Sequence, residues 1–581
     1  MTDRRTSARA LREQAAHKAF DRQHSPQLPS GEETAYVYNG ALSYAGSFTK
    51  GLPHDPQTGL GDPSAFRALV HAITTTREGD YALVPYGAPA AQSRPFVNPT
   101  AGAAYDLQGP DAGALSIPPA PELTDPEVAA EMAELYWMAL LRDRSFAEIE
   151  DGSGANVPNA VTSLNQLEWF NGNSVLDHDR KRMPVTAQSL FRGVLEGDQA
   201  GPYISQFLLM GTRTLANRNA PPVLADLQSG EIVYGAITVD QRITPAVTGV
   251  DYMTTFADWL KIQNGETPAL SDQFATRRFI TTPRDLATYV HFDALYEAYL
   301  NACLILLGIG APFDPGLPFA NSRQEGFGVF GPTHILTLVT EVATRALKCV
   351  WRQKWMVHRR ARPEAIAGLI ECYRVKPQSP GSAVPFVEPL VDLLTGAGVL
   401  QEVALHQAQG THLLPMAFPE GSPMHPAYGA GHATVAGACV TILKAFFDET
   451  HPLPFAFRAN PVDDGATLQH LPPLNGMLTV GGELNKVCSN ISIGRNMAGV
   501  HYFTDYIESI RLGEKIACAI LEEQAAGYAE DFSMTFTSFD RDENGDPIDI
   551  TIEKTGDTVV KREEVRSMAS SAPMALSIAA E

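Results

Sequence analysis

The sequence predicts a mainly α-helical protein, with helices packed as bundles and irregular loops between them. Three observations carry that prediction. Residues 333–360 form the strongest helix in the chain: Leu336, Leu338, Val339, Val342, Ala346, Leu347 and Val350 make one broad apolar stripe, and Pro363 stops it. Residues 125–146 read as a second long helix, with acids first and arginines last, as the helix dipole prefers. Strand signals are scarce, and residues 231–238 give the best of them.

In chain order, residues 1–25 read as a helical arm. Residues 31–126 are rich in Gly, Pro, Ser and Thr, and read as loops wrapping a core, with a proline-dense linker at 110–126. Further helices are predicted at 186–197, 254–263, 282–307, 386–395, 432–450 and 499–526, and a short hairpin at 477–481. The tail alternates with period two on both sides of Asn544-Gly545, which predicts a β-hairpin. Its turn offers Asp540, Asp542, Asn544 and Asp546, the early positions of a calcium loop, but Thr551 stands where that loop needs a bidentate glutamate. The plain hairpin is preferred. Three regions follow: a loop-rich helical part at 1–290, a helical core at 291–530 and a tail at 531–581.

Composition narrows the partners. The formal net charge of −22 argues against nucleic acid and anionic membranes, so an anionic substrate must be held by local positive groups. The six cysteines are scattered, which reads as buried free thiols in a reducing compartment. Residues 1–23 lack an apolar signal region, and the apolar run at 298–313 is too short and too interrupted to span a bilayer. A soluble, cytoplasmic protein is expected.

The chemistry concentrates in three segments. Lys354 and Arg362 flank the end of the strong helix. His425, Gly429, Ala430, Gly431 and His432 open the next one, where glycines allow close approach and the helix start offers N–H groups to an anion. Arg495 and His501 follow, with Asp505 four residues beyond the histidine, placed to fix its tautomer. Arg495 is expected just before the last helix. Singly, each residue has a plainer reading: Lys354 and Arg362 as a solvated helix end, His425 as a loop histidine, Arg495 as a salt-bridge partner. Jointly they describe a cage for a tetrahedral oxyanion. His334 and His358 lack such company and read as structural.

The spacing Lys354-x7-Arg362-Pro363, then His425-x6-His432 with Gly431 before the second histidine, then Arg495-x5-His501, resembles the vanadium-dependent haloperoxidases. Type 2 phosphatidic acid phosphatases and bacterial acid phosphatases share this three-part signature. The seven-residue gap and His425 resemble the bromoperoxidase branch, and residues 36–55 resemble its red-algal and cyanobacterial members. The resemblance implies a helical-bundle fold of the acid phosphatase and haloperoxidase type, and vanadate bound through His501 Nε2. Lys354, Arg362, Arg495 and the Gly431 amide would cradle it, with Ala430 beside them. It implies His432 as the acid–base group, Lys354 polarising bound peroxide, and His425 tuning the surroundings and the proton supply.

Hydrogen peroxide, bromide or iodide and a small organic acceptor are the implied partners, in a homo-oligomer from dimer to dodecamer. Two departures stand out. Ala430 replaces the family's serine, removing one hydrogen bond to the oxyanion, and Gly494 replaces a serine usual in the phosphatases. The alternative reading is a phosphohydrolase using a phosphohistidine at His501, and a third is an anion-binding oligomer that has lost catalysis. The shape around His425 and Gln353 is expected to set halide preference.

Overall fold

Proline and glycine punctuation sets where the helices begin and end in the computed structural model, which describes residues 3–22, 25–174, 176–177, 180–217, 220–319, 322–375 and 384–566. The helices that matter for the site are α1 (Arg4–Asp21), α2 (Pro63–Thr75), α3 (Pro126–Leu140), α4 (Phe256–Gln263), α5 (Pro283–Phe292), α6 (Glu297–Ile309), α7 (Pro332–Arg352), α8 (Pro363–Val375), α9 (Glu388–Gly396), α10 (Gly431–Phe446), α11 (Val480–Met497) and α12 (Phe503–Ala525). Five of them start on Pro at their first position, where the missing N–H costs no hydrogen bond.

The core is a bundle centred on α10, which packs against α7, α11 and α12, while α5 packs on α11. The α10–α12 crossing is close because each helix brings a glycine to it. A side chain at Gly437 would strike the Ile510 carbonyl, and one at Gly513 the Thr434 carbonyl. Gly494 does the same for α5 and α11: a Cβ there would press on Leu286 and Val290. Helices α10 and α11 are buried almost throughout, so their stability comes from packing rather than propensity.

Several expectations are corrected. Residues 186–197 form turns, not a helix, because Thr186 and Ser189 bond each other's backbone and Phe191 adopts φ 63°. Residues 282–307 form two helices, α5 and α6, bent by 99° at the break. The strand at 231–238 is a hairpin, β1 (Glu231–Tyr234) with β2 (Ile237–Asp240), turning at Gly235. At 477–481 there is no hairpin: Thr479 caps α11, accepting from Gly482 N at 3.2 Å. The loop-rich region at 31–126 contains α2.

The strong helix ends at Arg352 and continues as one wide π-helical turn, Gln353–His358. Pro363 therefore starts a helix rather than stopping one. The tail is a three-stranded antiparallel sheet of β3 (Phe532–Arg541), β4 (Pro547–Thr555) and β5 (Thr558–Val565); the third strand, mostly exposed and charged, shows no alternation to announce it. In its first turn, Asp542 Oδ1 accepts from Asn544 N and Asp546 N at 2.9 and 2.7 Å, while Asp540 pairs with Arg511 at 2.7 Å. Asp542 thus serves the turn itself, and Asp540 ties the strand to α12. All six cysteines are buried, and none forms a disulfide among the described residues. Among the described residues, no single helix is long and apolar enough to cross a membrane.

Candidate active site

The π-helical turn decides where Lys354 and Arg362 point. It widens the backbone after Arg352, and Arg359 then takes a left-handed conformation, φ 45°. The chain leaves extended, with Ala361 N bonded to Gly46 O at 2.8 Å and Ala427 N bonded to Arg360 O at 3.0 Å. Lys354 and Arg362 so reach the same loop, 425–430. Lys354 Nζ donates to the carbonyls of Pro426 and Ala427, both at 2.8 Å. Arg362 donates from Nε to His425 O at 2.9 Å and from Nη2 to His425 Nδ1 at 2.8 Å.

His501 follows α11's C-terminal turn, where Gly499 adopts φ 84°, and stands just ahead of α12. Asp505 lies in the first turn of α12, and its Oδ2 accepts from His501 Nδ1 at 2.7 Å and from Tyr502 N at 3.2 Å. With the proton held on Nδ1, Nε2 carries a lone pair into the site, where it accepts from Arg362 Nη1 at 3.1 Å. The same guanidinium nitrogen bonds Val500 O at 2.6 Å, so it keeps an anchor if the imidazole bond is exchanged for a ligand.

Arg495 lies in the last turn of α11, inside the helix that precedes α12 rather than in the lead-in to α12 itself. Its Nη1 donates to Val290 O at 2.6 Å, its guanidinium faces Phe418 at 5.7 Å, and its Nε is buried with no partner among the described residues. His432 opens α10 and donates from Nε2 to Asp293 Oδ1 at 3.0 Å, leaving Nδ1 as its free nitrogen. Ala430 N is tied to Ser509 Oγ at 2.8 Å, and its carbonyl accepts from Thr434 Oγ1 at 2.9 Å. Ala430 itself caps α10 without a side-chain bond.

The electrostatics are one-sided. Lys354, Arg362, Arg495 and His501 are 0, 1, 5 and 2% exposed, and none of the three cations has an ion-pair partner among the described residues. Burial, then the neighbouring Arg362, holds the Lys354 ammonium well below its ordinary value. Burial pulls Arg362 down to about 9 and Arg495 down to about 10. Burial and the surrounding cations keep His501 and His425 far below the usual imidazole range, and His432 is lowered for the same reasons, partly offset by Asp293. A pocket lined by N–H donors and open imidazole nitrogens, with no carboxylate paired to its three cations among the described residues, suits an oxyanion. It does not suit a bare metal cation, and among the described residues no cluster of three His, Cys, Asp or Glu side chains offers such a site.

Of the predicted residues, Arg362 bonds both His425 and His501, Lys354 bonds the carbonyls of the same loop, and Arg495 and His432 are close enough to depress His501. Two participants were missed. Trp351, one turn before Lys354, lies with its ring 4.9 Å from His425 and 5.7 Å from Lys354 Nζ. It takes the place foreseen for Gln353, whose amide instead binds Gln27 and Leu115 at 2.8 and 3.0 Å. Asp293, in the break between α5 and α6, was hidden because nothing local marks that break.

The family model described as the VCPO second helical-bundle domain matches residues 335–528. A vanadium-dependent bromoperoxidase of Corallina pilulifera is 45% identical over 574 residues, covering 90% of this chain and 96% of that protein. The chain belongs to the vanadium-dependent bromoperoxidase family. Another bromoperoxidase of the family, from Ascophyllum nodosum, is 35% identical over 527 residues, covering 87% of this chain and 86% of that one. The homohexameric structure of the second vanadate-dependent bromoperoxidase of Ascophyllum nodosum matches with a TM-score of 0.81 at 29% identity, over 96% of this chain and 93% of that one. The bromoperoxidase fold thus extends well beyond the cage-bearing helices, into the loop-rich first half of the chain.

Proposed function

We propose that this chain is a vanadate-dependent haloperoxidase that oxidises bromide or iodide with hydrogen peroxide to hypohalous acid, which then halogenates organic acceptors. The observation that carries it is the group of three buried cations, without a carboxylate ion pair among the described residues, near the Nε2 of His501. Vanadate fits that donor set: His501 would bind the metal, and Lys354, Arg362, Arg495 and the amides opening α10 would hold its oxygens. When bound it supplies a Lewis-acidic centre that activates peroxide without changing its own oxidation state.

The chain's own residues do the rest. Asp505 keeps the proton on His501 Nδ1 and so keeps Nε2 available. Lys354, fixed by its two carbonyl bonds, has one N–H left to polarise a peroxide oxygen. Oxidation of halide by peroxide consumes one proton and releases water. His432 Nδ1 is the group proposed to move that proton, with Asp293 stabilising the imidazolium that forms. His425, bonded to Arg362 and tilted against the Trp351 ring, orients the guanidinium.

The division into 1–290, 291–530 and 531–581 is kept as part of this reading. So is a homo-oligomer between dimer and dodecamer, which the homohexameric relative supports in kind. The free, buried thiols support a reducing, cytoplasmic setting. The test is to add vanadate to the vanadate-free protein, then measure bromination with peroxide and hydrolysis of a generic phosphate ester. Vanadate-dependent bromination is expected. Good hydrolysis with no bromination at any vanadate concentration would overturn this reading for the phosphohydrolase one.

A further inference from the structure

Behind His501 the hydrogen bonds do not stop at Asp505. Both oxygens of that carboxylate are committed: Oδ2 to His501 Nδ1 and Tyr502 N, and Oδ1 to Arg360 Nη1 at 3.0 Å. The other arm of the guanidinium, Nη2, donates to Glu131 Oε2 at 2.8 Å, and Glu131 Oε1 accepts from Thr504 N at 2.6 Å. Thr504 is the second residue of α12, so Glu131 reaches from α3 to the helix start that carries Asp505. Glu131, Arg360 and Asp505 are 3, 5 and 0% exposed, so water screens their charges little. Arg360 also lies 3.8 Å over the Tyr502 ring, and its carbonyl accepts from Ala427 N in the loop that Lys354 and Arg362 hold.

The charge count gives this arrangement a direction. A guanidinium bonded to Asp505 alone would draw charge out of the carboxylate and loosen its hold on the imidazole proton. Glu131 offsets that: two carboxylates share one guanidinium, leaving one net negative charge behind the ring. A histidine whose rear nitrogen faces such a charge is a stronger donor at its front nitrogen. The tautomer is the one this requires, because Arg362 Nη1 can only donate to Nε2. Glu127, one turn earlier on α3, differs. Arg180 bonds both its oxygens at 2.8 Å, and among the described residues it bonds Thr504 Oγ1 but neither Arg360 nor Asp505.

We propose that Glu131 is a positioning residue for the vanadate ligand: through Arg360 and Asp505 it holds the His501 imidazole in its Nδ1-protonated form and strengthens Nε2 as a donor. The inference rests on the proposed haloperoxidase activity, which needs vanadate on His501.

The vanadate-free protein gives one readout: the His501 Nδ1 proton, observed at low field by proton NMR and assigned by its loss in His501→Ala. Glu131→Gln should move it upfield, because an undivided guanidinium weakens Asp505 as an acceptor. Glu131→Asp, which keeps the charge, should move it less. Equilibrium dialysis of vanadate gives the other. Affinity should fall about tenfold in Glu131→Gln, the lower end of what groups behind a metal ligand cost, and less in Glu131→Asp. A side chain that mattered only for its shape would show the reverse order, since glutamine is nearer in size, and that result overturns the proposal. Glu127→Gln, which buries the same amide one turn away, should leave both readouts unchanged; effects equal to those of Glu131→Gln also overturn it. Where Glu131→Gln does not fold, Arg360→Lys replaces it. A single ammonium cannot fork to both carboxylates, so the resonance should shift and the affinity fall, and no change in either overturns the proposal. A wild-type protein that binds no vanadate overturns the haloperoxidase reading instead, and the resonance still decides whether Glu131 acts on His501.

Discussion

Arg360 and Arg362 stand two residues apart, both buried, and the fold treats them in opposite ways. Arg360 donates to Glu131 at 2.8 Å and to Asp505 at 3.0 Å, and lies 3.8 Å over the Tyr502 ring; those partners raise its pKa despite burial. Arg362 has carbonyls and imidazoles but no carboxylate, and its pKa falls to about 9. The same contrast runs through the molecule. Arg284 and Arg278 are ion-paired with raised pKa values, whereas Lys354, Arg362 and Arg495 are left facing one another with lowered ones. Paired buried charges hold the structure together. Unpaired ones store a repulsion that an anion can relieve, so the absent counter-ion marks the working site.

The comparison can be broken at several points. His501→Ala should have the largest effect: vanadate affinity and bromination both fall more than about 100-fold, since even groups behind a metal ligand cost 10–100-fold. Vanadate titration followed by a bromination assay checks it. Arg360→Ala should destabilise the protein by about 3–5 kcal/mol, because it strands Glu131 and Asp505 in the interior. Arg362→Met should leave the stability of the vanadate-free protein unchanged or raised, while vanadate binding is lost. Urea unfolding of both variants, with and without vanadate, separates the two arginines; equal destabilisation by both would erase the contrast.

A subtler consequence concerns pH. The free site depresses the Lys354 ammonium below 10.5, and a bound anion favours its charged form, so binding takes up a proton. Vanadate affinity should therefore fall as pH rises through the free-site value, at a midpoint below that of an ordinary lysine. Lys354→Met should bind more weakly and lose that midpoint in binding isotherms taken across the alkaline range. The smallest change expected is Ala430→Ser. A restored hydroxyl at the start of α10 should tighten vanadate by about tenfold, as one hydrogen bond to a charged group does. An unchanged affinity would show that the cage is already complete without it.

Much of the cage was legible because its residues lie at fixed spacings near helix ends, where local signals are strongest. The His501–Asp505 contact followed from a four-residue gap, although His501 precedes the helix instead of lying on it. What stayed hidden needed long-range packing. Helix α11 was missed because Gly481, Gly482, Ser489, Ser492 and Asn490 blur its apolar period; burial on every side stabilises it instead. That omission misplaced Arg495. The π-helical turn has no sequence marker, so Pro363 looked like a stop. Asp293 and Trp351 join the site only because α5 and α7 pack beside it.

The six free thiols have a consequence for self-inflicted damage. A chain that makes hypohalous acid is the nearest target for it, and thiolates are the most vulnerable form of cysteine. Burial keeps Cys349 protonated up to about 12 and pushes Cys303, Cys439, Cys488 and Cys518 up as well. None of these five presents a thiolate to the oxidant. The packing that builds the bundle therefore also keeps these sulfurs in their less reactive, protonated form.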